Sequence, residues 1–174
     1  MAYQLEEINR RLKENPAGFV AECDGVYQKR LESAADRILE RMKESPIVLL
    51  SGPSGSGKTT TALKLEQELE RRGVQTHTIS MDNYFKTLNR KTAPRNAEGD
   101  IDYESPKLLD MDLLDETFTK LSRGEWVVVP KFEFARQMRN DSRGTLLKLD
   151  KNEIAIFEGI HALNDDIAGR HPEA

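Results

Sequence analysis

Apolar residues return every three to four positions at Leu5, Ile8 and Leu12, a spacing that predicts a helix over 4–14. Pro16 and Gly18 interrupt the pattern, and Leu31, Ala35, Ile38 and Met42 restart it in a second amphipathic helix. The pattern changes after Ser45-Pro46. "IVLLS" (47–51) is a short apolar run rich in strand formers, as in a strand buried on both faces. From Lys58 to Arg72 the helical period resumes through Ala62, Leu65 and Leu69, and Gly73 is placed to end it. Further strands are predicted at "VQTHTIS" (74–80), "WVVVPKFEF" (126–134) and "IAIFEG" (154–159), with a helix from about Pro106 to Leu121. "RGTLLKL" (143–149) is read as an arm pairing with the end of the third strand, and the polar stretch 88–100 as a loop. Strands alternating with helices predict an α/β fold, a parallel sheet covered by helices on both faces. The expected division is an N-terminal helical segment, 1–45, followed by one domain, 46–174.

Composition narrows the classes. A chain of 174 residues is the size of one domain. Its 26 basic and 30 acidic residues give a net charge of -4, so no global basic field points to nucleic acid. Cys23 is the single cysteine, which excludes an internal disulfide and fits a reducing compartment. The first residues carry mixed charges without an apolar core, and nowhere do about eighteen apolar residues run together. A cytoplasmic protein without membrane contact is expected, and a homo-oligomer is left open.

The chemistry begins where the first strand ends. Gly52-Pro53-Ser54-Gly55-Ser56-Gly57-Lys58-Thr59, followed by Thr60, satisfies G-x-x-x-x-G-K-[ST], the phosphate-binding P-loop, between a predicted strand and a predicted helix. Glycines let backbone N–H groups turn toward phosphate oxygens, and the helix N-terminus adds its positive dipole end. Lys58 is expected on the β- and γ-phosphates of ATP, and the Thr59 hydroxyl on Mg²⁺. A metal site of this kind needs an acid at the end of a nearby strand, and Glu158 closes "IAIFE". Asp82, after the second strand in "SMDNYF", would reach the same sheet edge. There it can accept the proton of an attacking hydroxyl or hold the metal; an N-cap aspartate is the alternative.

Five ordered signatures, "GPSGSGKTT", "SMDNYF", "DYESP", "VVPKFEF" and "FEGIHALN", make residues 47–163 resemble the uridine kinase and phosphoribulokinase family of P-loop kinases. The wording of "DYESP" and "EGIHALN" is most similar to bacterial uridine-kinase-like proteins. The resemblance implies ATP-dependent phosphoryl transfer to a small-molecule hydroxyl, with a nucleoside as first acceptor and a sugar phosphate as second. It implies Asp82 as catalytic base near the metal, Lys58 on the transferring phosphates, and Glu104 on ribose hydroxyls beside Tyr103. A non-catalytic nucleotide-binding module is the rival from another class.

Two departures limit the resemblance. The family positions that read a pyrimidine edge carry Phe132 and Gln137, so uridine specificity does not carry over, and Arg136 and Arg139 are the candidates to meet an anionic acceptor. Only fifteen residues follow Gly159, and no family lid arginine has a match in them; an incomplete or pared-down domain is expected. His161 and His77 are weaker candidates. "DIAG" (166–169) lacks the strand and guanine-reading motif of a GTPase switch.

Overall fold

The computed structural model describes residues 4–174. Helix α1 (Leu5–Glu14) stops at Asn15, whose side chain accepts a hydrogen bond from the Gly18 amide and so caps α2 (Pro16–Arg41). Pro16 sits at the first position of α2, where its missing N–H costs nothing. The predicted interruption is therefore one residue wide. No described helix is long and apolar enough to cross a membrane.

Strands β1 (Ile47–Leu50) and β2 (Gln75–Ser80) both pair in parallel with β5 (Glu153–Glu158), giving the order β1-β5-β2. The side-chain alternation of β5 divides the core. Ile154 and Ile156 face α2 and α3 (Lys58–Arg71), where Leu31, Ala35, Ala62, Leu65 and Leu69 meet them. Ala155 and Phe157 face the other way, toward Leu114, Phe118 and Leu121 of α4 (Met111–Ser122) and Ile167 of α5 (Asp165–Ala168). Phe118 and Phe157 stack edge to face at 4.5 Å between ring centroids. Helices thus cover both faces of a parallel sheet, as the alternation of elements predicts.

Two expectations need correction. The helix expected from Pro106 begins at Met111, because Asp110 accepts from the Leu113 amide and caps it; Pro106–Leu108 form a separate 3₁₀ turn. The third predicted strand, β3 (Val127–Glu133), lies outside the parallel sheet and pairs antiparallel with β4 (Met138–Leu147). The predicted arm is thus one half of a longer hairpin. A short turn suffices for an antiparallel pair, whereas a parallel partner needs a crossover, and only four residues separate Glu133 from the start of β4 at Met138. Pro130 has no N–H to give, and the ladder shifts register between Val129 and Lys131. A groove of about 590 Å³ separates the hairpin from β2.

Helix α2 is tied to α3 by charge as well as packing. Buried Glu68 accepts from Arg71 and Arg72, and Arg72 also pairs with Asp36 on α2. The hydrogen bonds from the two arginines hold the Glu68 carboxyl at about 2, below its ordinary 4.5. A lowered folded value means that its contribution is complete above the unfolded pKa and lost as the pH falls toward 2. Glu68→Gln should therefore flatten the dependence of the melting temperature on pH between about 4.5 and about 2. An unchanged acid limb would refute the linkage.

Candidate phosphate and acceptor site

The parallel register decides what meets at the sheet's carboxyl edge. Leu50, Glu158 and Ser80 stand level across β1, β5 and β2, so the P-loop, the strand-end acid and the "SMDNYF" segment all leave from one line. Ser51 carries this alignment one residue further, its hydroxyl donating to the Ile160 carbonyl at 3.0 Å.

Within the loop, Gly57 has φ +86° and forms the N-cap of α3 without a side chain, leaving the first amides of the helix clear. Gly52 is required for a different reason. A Cβ there would stand 2.8 Å from Ser56 Oγ and 3.1 Å from Lys58 Cγ. The Lys58 ammonium donates to the Pro53 carbonyl at 3.2 Å, inside the curve of the loop.

Lys58, Thr59 and Ser54 share a cavity of about 250 Å³ with Asp82, Glu104 and Glu158. Ser56 and Thr60 do not line it. Glu158 is buried, at 9% exposure, and Glu104 is exposed on its loop. Among the described residues none of these three carboxylates has a hydrogen-bonding or ion-pair partner in the protein. Asp82 is not a cap: Ser80 Oγ accepts from the Asp82 amide at 3.4 Å and starts the 3₁₀ turn Met81–Tyr84, which frees the carboxylate for the cavity. Burial pushes the Asp82 carboxyl above its ordinary value, opposed by the charges of Lys58 and His161. No group of three or more His, Cys, Asp or Glu side chains poised for a metal occurs among the described residues. Of the residues that line the cavity, the Thr59 hydroxyl and the Asp82 and Glu158 carboxylates make a hard oxygen set that suits Mg²⁺, an ion that keeps waters and phosphates as its other ligands.

A second cavity, of about 260 Å³, adjoins the first across Phe85 and Tyr103, which line both. Its other walls are Leu88, Leu108, Phe132 and Phe134, with Lys86 and Gln137. Phe132 is edge-on to Phe85 at 5.7 Å and to Phe134 at 5.2 Å. The Phe132 amide donates to Asn83 Oδ1 at 3.2 Å, fastening the hairpin to the Asp82 turn.

A family model for the phosphoribulokinase / uridine kinase family matches residues 47–171. The chain belongs to that family. It is 35% identical over 117 residues to the uridine kinase of Schizosaccharomyces pombe, a match covering 67% of this chain and 25% of that one. With the uridine kinase of Staphylococcus aureus strain JH9 it shares 32% over 126 residues, 72% of this chain and 58% of the relative. The chain therefore spans only part of either relative's length. The D-glycerate 3-kinase of Cryptococcus neoformans var. grubii superposes with a TM-score of 0.58 at 20% identity, over 76% of this chain and 52% of that one, which shows a common fold.

Against this family background, two expected residues stand apart from the site. Arg139 lines neither cavity, and its guanidinium is taken by Asp110 at 2.6 Å and Asp141 at 2.9 Å. Arg136 is exposed and pairs with Glu133 at 3.4 Å. His77 faces Glu153 at 3.3 Å on β2, away from the loop, whereas His161 is near enough to act on Asp82 and keeps a buried Nε2 with no partner. Sequence reasoning missed Phe85, Leu88 and Phe134 as cavity walls. The alternation of Phe132 and Phe134, two apart on a strand and its exit, was the signal available.

The close approach at Gly52 yields a prediction. Gly52→Ala should weaken Mg-ATP binding about tenfold, the scale of an overpacking cost of about 1–3 kcal/mol. Fluorescent-nucleotide titration checks this, with thermal melting to confirm the fold.

Proposed function

We propose that this chain transfers the γ-phosphoryl group of ATP to a hydroxyl of a small, largely uncharged acceptor, with a nucleoside as first choice. The observation that carries the reading is the pairing of the two cavities. One holds the P-loop and three uncommitted carboxylates, and the other is walled by aromatic and aliphatic side chains directly beside it. Apolar walls with few polar groups suit a flat acceptor. Arg139, the arginine expected to meet an anionic acceptor, is committed to Asp110 and Asp141, which leaves Lys86 as the cation on the lining of the apolar cavity.

In this reading the amides of α3 and Lys58 hold the phosphates, and Glu104 takes acceptor hydroxyls at the junction of the cavities. Mg²⁺, held by Thr59 and Glu158 with Asp82 nearby, would neutralise charge on the phosphates. The acceptor oxygen forms a bond to the γ-phosphorus as the bond from that phosphorus to the β-bridging oxygen breaks, and ADP leaves. The hydroxyl proton passes to Asp82 and then to solvent. Burial makes Asp82 a stronger base than an ordinary aspartate. Catalysis is chiefly positioning and charge stabilisation.

The test is ADP formation by the 174-residue chain with Mg-ATP, across nucleosides and sugar phosphates, each against a blank without acceptor. Stimulation by a nucleoside is expected. ATP binding with a flat panel would favour the nucleotide-binding module instead. Lys58→Ala should abolish nucleotide binding, and Asp82→Asn should keep binding while lowering transfer by about 10² to 10⁴. Full transfer by Asp82→Asn would remove Asp82 as the base.

A further inference from the structure

The order β1-β5-β2 leaves β2 on the edge of the parallel sheet. In a parallel pair every second residue turns its N–H and C=O toward the neighbouring strand. The Gln75 amide donates to the Asn152 carbonyl at 3.1 Å, so Gln75, His77 and Ile79 are the residues of β2 that face β5. Thr76, Thr78 and Ser80 therefore present their main chain outward, and among the described residues no other backbone pairs with it. Such an edge is a template for a further strand.

Beside it lies the groove of about 590 Å³ that separates β2 from the β3–β4 hairpin. The hairpin does not pair with β2; it is fastened past the end of that strand, where the Phe132 amide meets Asn83 Oδ1. The two walls differ. On one face of the sheet Thr78 Oγ1 donates to Glu66 of α3 at 2.6 Å, beside the half-exposed Leu63. On the other, Ile79 packs with Val129 and Leu147 of the hairpin, which also brings Lys131 and Arg143 to the groove. Lys131 is exposed and has no ion-pair partner among the described residues, and Arg143 reaches Glu133 over 3.4 Å. Thr76, at 6% exposure, lines the groove with a buried Oγ1 that has no hydrogen-bond partner. An orphaned buried hydroxyl calls for an explanation, and a polar chain covering the edge supplies one.

We propose that the open edge of β2 is a docking site for an extended segment of a partner protein, which adds a strand to the sheet. Main-chain bonds to Thr76 and Thr78 give the pairing, and alternate side chains go to the two walls. Those on the hairpin side are apolar against Val129 and Leu147 and acidic against Lys131 and Arg143. Those on the α3 side are small and hydroxyl-bearing, since Glu66 is already engaged by Thr78. A second copy of this chain fits poorly, because its own β2 lies between the same two walls. The proposal does not depend on the kinase reading.

The test titrates the 174-residue chain with two peptides, acetylated and amidated so that their ends carry no charge. Thr-Val-Thr-Val-Thr-Asp-Thr suits a parallel strand and its reverse an antiparallel one. Amide exchange is followed residue by residue by NMR. One of the two should slow exchange at Thr76 and Thr78 by about tenfold or more at saturation, while His77 and Ile79, already bonded to β5, change little. The same peptide with its backbone nitrogens methylated should not bind. Lys131→Glu should weaken the acidic peptide about fivefold and favour a version with Lys in place of Asp. No binding by either peptide, protection absent from Thr76 and Thr78, equal binding of the methylated peptide, or indifference to Lys131→Glu would each overturn the proposal. Protection of Thr76 and Thr78 that rises with protein concentration alone would assign the edge to a second copy and overturn it too.

Discussion

The site depends on the placement of β5 between β1 and β2. Because all three strands run in the same direction and in register, their carboxyl ends form one line, and whatever follows each strand is delivered to the same edge. The cost of this arrangement is met in the core. Ile154 and Ile156 pack on one face and Ala155 and Phe157 on the other, all fully buried, so a slip of one residue would exchange two different helical surfaces. A polar residue such as Glu158 is tolerated only where that apolar run ends.

Much of this was legible in the sequence because local chemistry and global position agree. The P-loop was readable from its glycines and lysine, and the strand before it from its apolar run, since each pattern has a backbone reason independent of the rest of the fold. Asp82 was ambiguous by itself. Only the structure shows that Ser80 takes the capping role and releases the carboxylate.

What escaped the sequence depends on pairing across distance. An apolar run such as "VVVP" fits a parallel or an antiparallel partner equally well, and the short connection to β4 decided between them. Asp110 moved the start of α4 by supplying a cap that periodicity does not register. Arg139 is attractive as a free cation until Asp110 and Asp141 take up its guanidinium. The ring-walled cavity gathers side chains from four separated segments, and no window of sequence contains them together.

The bond from the Lys58 ammonium to the Pro53 carbonyl has a consequence for how the loop meets its ligand. The cation already sits where it organises the main chain, so the loop is wound about its own side chain. In the proposed reading, phosphate binding exchanges this oxygen acceptor for another, more strongly charged one. In that reading, a ligand must outcompete an internal carbonyl before it gains the lysine.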